Sequence, residues 1–341
     1  MNLLFGADPE HLATEVATGG FWMPAQMSTV APSIDWAYYV VLWISVILFI
    51  PIIVITAYFV IKYRRRTPDQ EAEPSPNHNQ LMEIAWTIPT IPIVTVFFYV
   101  GVHGFVDSRT MPKNAYEIGV VAQKWNWLFE YPEGVKSPEL HVPANQNVVL
   151  TMRSNDVIHA LYVPVLRVKQ DIPPGRYSKL WFNCTQPVEA NLFCAEYCGD
   201  NHSGMITKFQ AHEKADFQAW FEDEKDWRKK KVKNPDGTMR PMTAVEAGEK
   251  FYRERGCQTC HSVDGTTKVG PSWKGLWASQ RNYTSAKGPG TATADENYIK
   301  ESIEEPAAKV VVNFQPAMPS FKGQFRADEI DCIIQYIKTL K

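Results

Sequence analysis

Residues Cys194–Met205 read CAEYCGDNHSGM, which places two thiols, an imidazole and a thioether within 12 residues. Soft sulfur ligands combined with imidazole favour copper among the metals available to a protein. A mononuclear copper site of this kind uses one cysteine beside its histidine and weak methionine. The second cysteine therefore indicates two copper ions bridged by two thiolates. A disulfide and a zinc knot are the alternatives for the cysteine pair, and neither explains Met205.

Such a copper pair needs a second imidazole, and the segment SNDVIHALYVP supplies His159, 35 residues before Cys194. These residue types, in this order, resemble subunit II of cytochrome c oxidases and its binuclear copper centre, CuA. The resemblance implies this ligand set: bridging Cys194 and Cys198, capping His159 and His202, and the weak ligand Met205.

The same resemblance gives Glu196, which lies between the two cysteines, two roles. Its backbone carbonyl would complete the copper ligands, and its carboxylate would reach a magnesium ion at the interface with subunit I. Around this loop, residues 107–212 hold short runs rich in valine, isoleucine and aromatics, broken by proline and glycine. This pattern is typical of a β-sandwich. The resemblance makes residues 107–225 a cupredoxin-like β-barrel, the CuA domain.

Two long stretches of the chain lack charged side chains. Residues 37–61 carry none, and residues 84–106 carry none apart from the titratable His103. At 1.5 Å per helical residue, each stretch spans about 35 Å, more than the roughly 30 Å hydrocarbon core of a bilayer. Buried core helices are the alternative, but they seldom stay uncharged for so long. We therefore predict a two-helix transmembrane hairpin over residues 37–106, in contact with lipid.

The connection between these two helices is basic, with Lys62 and a run of three arginines at 64–66. The positive-inside rule places it in the cytoplasm. Residues 1–36 show no cleavage pattern and are predicted to be an external N-terminal arm. Both termini and both redox domains then lie on the outer or periplasmic side of a bacterial cytoplasmic (inner) membrane. The net charge of −2 gives no indication of a nucleic-acid partner.

A second metal-binding motif, CQTCH, occupies residues 257–261. The C-x-x-C-H pattern is typical of covalent haem c attachment. Cys257 and Cys260 would form thioethers to the haem, and His261 would be the proximal iron ligand. A disulfide reductase is the alternative, but no thioredoxin-like β-α-β pattern flanks the motif.

The distal haem ligand is predicted from the segment PAMPSF, which places Met318 57 residues after His261. Met239 and Met242 are the alternatives, but they precede the two cysteines. Residues 243–341 resemble an all-α class I cytochrome c, in which the C-terminal helix crosses the first helix near a glycine, here Gly248. Residues 226–242 are predicted to be a basic, solvated linker.

Two further resemblances concern the paths of electrons and protons. AQKWNWLFEYP is similar to a tryptophan-rich segment of subunit II in which the residue aligned with Trp125 receives electrons near the copper. Asn126 stands where the family usually has an aromatic residue. LMEIAWTIP is similar to the start of the second membrane helix, where Glu83 would stand at the mouth of a proton pathway into subunit I. Core packing is the alternative for Trp125 and is the favoured interpretation of Trp127, and a solvated helix cap is the alternative for Glu83.

Together these features imply a multidomain membrane protein, the electron-input subunit of a haem-copper terminal oxidase. An external donor (cytochrome c, another small redox protein or a respiratory complex) would reduce haem c. Electrons would then pass to the copper pair and to subunit I, accompanied by subunit III, for reduction of oxygen to water coupled to proton translocation. The alternatives are a CuA subunit of a nitric oxide reductase and a free-standing membrane-tethered electron carrier. Cys184 and Cys332 are predicted to be buried free thiols.

Overall fold

The structure is a computed structural model that describes residues 22–71, 74, 76–234 and 236–341. Most of the predicted N-terminal arm, residues 1–21, lies outside the described residues. The described chain divides into two compact units, which are residues 28–113 and residues 114–341 together with 22–27.

The unit of residues 28–113 contains two long helices, α1 (Ala31–Tyr63) and α2 (Gln80–Arg109). Both are long and apolar enough to cross a membrane, and their apolar side chains are exposed in the isolated chain. At the start of α2, the Asn79 side chain accepts a hydrogen bond from the Met82 N–H at 3.1 Å, which satisfies a free helix donor. These two helices confirm the predicted transmembrane pair.

Residues 116–212 form two five-stranded sheets of a cupredoxin-like domain, which confirms the predicted β fold. Phe182 and Phe209 stand on strands of different sheets and meet edge to face at 5.9 Å, so the core lies between the sheets. The strands of the first sheet, in the order β3-β2-β1-β5-β8, are β1 (Tyr116–Gln123), β2 (Asn126–Glu130), β3 (Lys136–Ser137), β5 (Asn147–Ser154) and β8 (Ser178–Asn183). Those of the second, in the order β4-β10-β9-β6-β7, are β4 (Leu140–Pro143), β6 (His159–Val163), β7 (Val168–Ile172), β9 (Val188–Cys194) and β10 (Ile206–His212).

The end of the N-terminal arm belongs to this cupredoxin domain. The Met27 N–H donates to the Val165 carbonyl at 2.9 Å, and the Thr185 N–H donates to the Met27 carbonyl at 3.0 Å. Arg167 donates to the Pro24 carbonyl at 2.6 Å. The Met27 side chain is only 1% exposed, so it forms part of the domain core.

The helices of the haem domain pack around a predicted glycine. The crossing helices are α4 (Ala244–Glu254) and α7 (Ala327–Thr339). A Cβ atom on Gly248 would lie 2.1 Å from the Cys332 carbonyl oxygen, so only glycine permits this approach. The other helices of this half of the chain are α3 (Lys214–Glu224), α5 (Cys257–Cys260) and α6 (Glu296–Glu304).

Three strands add a small sheet to the predicted helical cytochrome domain. They are β13 (Gln280–Ser285), β14 (Gly288–Thr293) and β15 (Val310–Val311), with β13 in the centre. The hairpin of β13 and β14 has the alternation of half-buried and exposed residues expected for a sheet with one solvated face.

The linker is more ordered than the solvated tether expected from its sequence. It contains a hairpin of β11 (Lys231–Lys233) and β12 (Met239–Pro241). Lys230 pairs with Asp223 at 3.3 Å and with Glu224, and Glu224 also accepts from Lys250 of the haem domain at 3.1 Å. These partly buried ion pairs join α3, the linker and α4.

Candidate functional site

The predicted copper ligands lie on or beside three adjacent strands of the second cupredoxin sheet, and on the loop that joins two of these strands. His159 begins β6 and Cys194 ends β9, and these strands are paired. Strands β9 and β10 are antiparallel neighbours, and Met205 directly precedes β10. The loop between them carries Cys198 and His202. Sheet register therefore brings His159 to the loop despite the 35 residues between it and Cys194.

The donor atoms of this loop form one compact cluster. The Sγ atoms of Cys194 and Cys198 are 3.9 Å apart, and His159, Cys194 and Cys198 together could hold a metal ion. The remaining distances are 3.8 Å from Cys194 Sγ to His159 Nδ1, 3.5 Å from Cys198 Sγ to His202 Nδ1, 3.9 Å from Cys198 Sγ to Met205 Sδ, and 3.3 Å from Cys194 Sγ to the Glu196 carbonyl oxygen.

A carboxylate that the sequence analysis did not single out orients His159. Asp156 Oδ1 lies 2.8 Å from His159 Nε2, which leaves Nδ1 on the side of Cys194. Carboxylates that bind the outer nitrogen of a histidine fix its ring and increase its basicity as a metal ligand. The signal for Asp156 was present, because it stands three residues before His159 in SNDVIH.

The two thiols of the cluster differ in acidity. Burial raises the pKa of Cys194, but its hydrogen bonds, above all that with His159, outweigh burial and lower the pKa to about 6. Burial and the neighbouring Cys194 charge raise the pKa of Cys198 to about 12. Two thiolates at this distance need positive charge between them, which bound metal supplies. The residues present therefore fit a copper site with two bridging sulfurs.

The predicted haem ligands line one largely apolar cavity of the cytochrome domain: Cys257, Cys260, His261 and Met318. His261 Nδ1 lies 2.7 Å from the Pro271 carbonyl oxygen, so Nδ1 carries the donated proton and Nε2 is free to bind iron. Burial lowers the pKa of His261, which keeps its imidazole neutral. These residues fit a haem c.

The distal side of this cavity distinguishes the three candidate methionines. Met318 is among the residues that line the cavity, and Met239 and Met242 are not. Met239 is 57% exposed on the linker hairpin. On the proximal side, a Cβ atom on Gly270 would lie 2.6 Å from His261 Cε1, so glycine allows the backbone to lie against the imidazole.

Trp125 lies against the copper loop and also lines the haem cavity. A Cβ atom on Gly199, next to Cys198, would lie 3.2 Å from Cζ2 of the Trp125 indole. Trp127 is buried, as favoured from the sequence, and its indole N–H donates to the Met205 carbonyl at 3.5 Å. One tryptophan therefore reaches both sites, and the other supports the copper loop from the core.

The side chains of the remaining predicted residues take no part in these two clusters. Glu196 is exposed beside Tyr197, which is 72% exposed. Glu83 lies in the first turn of α2, in the other unit, and its carboxylate is 2.6 Å from His78 Nδ1. Cys184 and Cys332 are buried free thiols, as predicted.

Comparison with known proteins gives three matching family models. Cytochrome C oxidase subunit II, transmembrane domain, matches residues 17–104, and the periplasmic domain of the same subunit matches residues 135–211. Cytochrome c matches residues 245–341. The three models thus follow the chain in the order membrane helices, cupredoxin domain, haem domain.

Similar proteins span most of the chain and share one description. Cytochrome c oxidase subunit 2 of Alkalihalophilus pseudofirmus is 28% identical over 322 residues, which covers 91% of this chain and 89% of that protein. The Synechocystis protein of the same name is 31% identical over 58% of this chain and 74% of its own length. That of Bacillus subtilis is 26% identical over 84% of this chain and 83% of its own length.

These matches imply copper and haem c as cofactors, and subunit I and an electron donor as partners. The two apolar helices and the transmembrane family model fit a protein of the cytoplasmic membrane. The chain belongs to the cytochrome c oxidase subunit II family, as a haem-copper oxidase subunit that carries a C-terminal cytochrome c domain.

Proposed function

We propose that this chain passes electrons from an external donor through haem c and a binuclear copper centre to subunit I. There, oxygen is reduced to water and protons are translocated. The observation that supports this path is the position of Trp125, which contacts the copper loop at Gly199 and lines the haem cavity. No other tryptophan lines that cavity from the cupredoxin side in the described part of the chain.

In this proposal the copper loop would hold two metal ions. Cys194 and Cys198 would be the shared sulfur ligands, and Asp156 holds His159 in the orientation for binding through Nδ1. Copper and haem c supply one-electron redox chemistry, and the protein sets their spacing and exposure. The other ligands are His202, Met205 and the Glu196 carbonyl.

The haem is proposed to be covalently bound through Cys257 and Cys260. His261 would bind the iron through Nε2, since Nδ1 donates to Pro271. Met318 would supply a thioether as the second protein ligand. A methionine ligand raises the haem potential relative to a second histidine, which suits a donor to copper.

The surface of the copper loop that carries Glu196 and Tyr197 is proposed to face subunit I. Both residues are exposed, although they neighbour buried cysteines. The Glu196 carboxylate would bind magnesium at that interface. Glu83 would receive protons at the opposite membrane face, and lipid and subunit III would surround the helices.

The proposed topology places both termini outside the cytoplasm. Residues 24–27 bind the cupredoxin domain through Val165, Arg167 and Thr185, which supports a common side of the membrane for the segment before α1 and the domain after α2. Two membrane crossings separate them, which agrees with this common side. The basic connection then faces the cytoplasm.

The test is purification of the chain from its native membrane, followed by metal analysis and spectroscopy. We expect a haem-copper subunit to accompany it, with two coppers and one covalent haem c per chain, and oxygen consumption by the complex. A complex that reduces nitric oxide rather than oxygen would contradict the oxidase function. Purification without a haem-copper subunit would indicate a free-standing electron carrier.

A further inference from the structure

Asn126 joins the cupredoxin domain to the backbone that precedes the haem attachment motif. It follows Trp125 and begins β2. Its Nδ2 donates to the Arg255 carbonyl at 3.0 Å, and Arg255 is the C-cap residue of α4. Gly256 and Cys257 come next. The amide next to Trp125 therefore holds the start of the haem attachment turn.

Asn126 and Gly256 also fit each other in shape. Gly256 has a φ of 76°, in the left-handed region that favours glycine. A Cβ atom on Gly256 would lie 3.0 Å from Asn126 Cβ, so even one added methyl group would push the two residues apart by a few tenths of an ångström. A bulky aromatic side chain at position 126 would have to displace this backbone. The residues at positions 126 and 256 are therefore both small enough for this close contact.

A second set of contacts joins the cupredoxin domain to the loop after the predicted distal ligand Met318. Gln324 Nε2 donates to Gln123 Oε1 at 3.2 Å, and the Gln324 side chain is buried. Lys136 Nζ donates to the carbonyls of Gly323 and Gln324, both at 2.9 Å. Both sides of the haem cavity, the attachment turn and the Met318 loop, therefore contact the cupredoxin domain.

A third set of contacts ties the haem domain to the segment around the end of α3. The Trp227 indole N–H donates to Asp328 at 3.1 Å, and Arg326 donates to the Lys225 carbonyl at 3.1 Å. Together with the Glu224 ion pairs, these contacts restrict rotation of the haem domain about the linker. The haem domain is held at three places, and Trp125 is half-buried beside the first of them.

We propose that Asn126 is a positioning residue. Together with Gly256, it holds the haem domain against Trp125, so that external redox proteins cannot contact this tryptophan. The external donor, a one-electron redox protein, then loses its electron to haem c, and the same electron passes on to the copper pair. This inference rests on the proposed electron path and adds that the donor has no direct route to copper.

The test compares Asn126→Trp and Asn126→Ala with the control Asn183→Ala in the purified complex. The Asn183 amide pairs with Asn147 within the cupredoxin domain, so its loss removes an amide contact away from the haem domain. Two readouts report on positioning: the magnetic coupling between oxidised haem iron and the copper pair, and the rate of haem-to-copper electron transfer after flash reduction of the haem.

Asn126→Trp is expected to weaken the coupling and to slow the transfer about tenfold or more, because overpacking moves the haem domain. Asn126→Ala should slow it less, since only one hydrogen bond is lost. Asn183→Ala should change neither readout. If Asn126→Trp does not assemble, Gly256→Ala tests the same contact from the other side, provided that its haem c spectrum is intact.

Unchanged coupling and rate in Asn126→Trp, with copper and haem c both present, would overturn the positioning role and leave the proposed function standing. Absence of a copper pair or of haem c in the wild-type chain would instead refute the proposed function itself. Donor access is measured by mixing the complex with a soluble reduced cytochrome c. In the wild type, haem c should be reduced before copper, and reduction of copper first would refute the closure of Trp125.

Discussion

At the copper site, the protein alone brings every side-chain donor within 4 Å of another, whereas at the haem site the four ligands stand around a cavity. The copper site depends on strand register, because His159 and Cys194 lie on paired strands. The haem site depends on helix packing and on a space of the right shape. Loss of a bridging cysteine should therefore remove the copper site, whereas loss of the distal haem ligand should alter a site that persists.

The largest expected effect is that of Cys198→Ser. Loss of this bridging sulfur should abolish the hyperfine signal of an electron shared by two coppers, and with it electron transfer to subunit I. The measurement is copper content and EPR of the purified complex. Cys184→Ser, which removes a buried thiol of the same domain, should retain both coppers. Retention of the shared-electron signal in Cys198→Ser would exclude Cys198 as a bridging ligand.

Gly248→Ala tests whether the haem site depends on helix packing. The added Cβ would lie 2.1 Å from the Cys332 carbonyl oxygen, so α4 and α7 must separate. Overpacking of this kind costs roughly 1–3 kcal/mol, and backbone overlap favours the upper end. Thermal unfolding followed at the haem should shift to lower temperature, while the copper signal keeps its midpoint. Val245→Ala, at an exposed position of α4, should leave both midpoints in place, and equal midpoints in Gly248→Ala would refute the packing argument.

Met318→Ala should change the haem site without emptying it. The thioethers to Cys257 and Cys260 and the bond to His261 remain, so haem content should stay near one per chain. The weak near-infrared band of iron–methionine ligation should disappear and the haem potential should fall. Met239→Ala is the matched control, because Met239 is exposed outside the cavity. Survival of the band in Met318→Ala would move the ligand role to Met242 or Met239.

Acid is expected to have a smaller effect, which is a loss of stability of the cupredoxin domain. We assign this effect to His141, which is not a copper ligand. Burial and the adjacent His212 lower the pKa of His141 from 6.5 to about 3, and the ring stacks on Trp220 at 4.0 Å. The unfolded chain binds this proton below about pH 6.5 and the folded chain does not. Stability is therefore complete above that pH and is lost as pH falls towards 3.

As the pH falls from about 6.5 to 4.5, proton uptake by His141 in the unfolded chain should by itself lower the free energy of unfolding by roughly 2–3 kcal/mol. His141→Gln should flatten this part of the pH profile measured by urea unfolding. An unchanged pH slope in His141→Gln would show that His141 does not titrate between the folded and unfolded states.

The smallest effect should follow from Glu83→Gln, because Glu83 belongs to neither redox site. Loss of a group that takes up protons typically slows turnover by about 100-fold or more, but His78 is 2.6 Å away and can substitute in part. Steady-state oxygen uptake should fall by less than that, with reduction of copper by haem c unchanged. Equal oxygen uptake in variant and wild type would return Glu83 to the role of a solvated helix cap.

The sequence singled out the copper loop because the chemistry of this loop is local. Five donors fall within Cys194–Met205, and only His159 comes from elsewhere. The membrane helices were equally clear, since the uncharged run of residues 37–61 is long enough to span a bilayer and too long for most buried core helices. The ends of these helices were not clear from the sequence, because α1 begins at Ala31 and includes Asp35, which precedes the uncharged run. A hydropathy pattern marks the apolar span and not where helical backbone continues past it.

The parts that the sequence did not predict depend on distant partners. The linker hairpin is held by ion pairs of Lys230 and Lys250 with Glu224, which no local pattern contains. Asn126 looked like a departure from the family that left the docking surface undefined. Its partner, the Arg255 carbonyl, lies 129 residues away. Every residue has a backbone carbonyl, so the sequence could not indicate which one accepts from Asn126.

The attachment of residues 24–27 to the cupredoxin domain has a consequence for biogenesis. Arg167 and the Pro24 carbonyl are separated by 143 residues, and Gln186 contacts Met27 across 159. The chain between them contains both membrane helices. The cupredoxin domain therefore cannot complete its fold until the N-terminal segment has met chain that is made after both helices. Synthesis of the helix pair and closure of the domain are then successive steps of one ordered assembly.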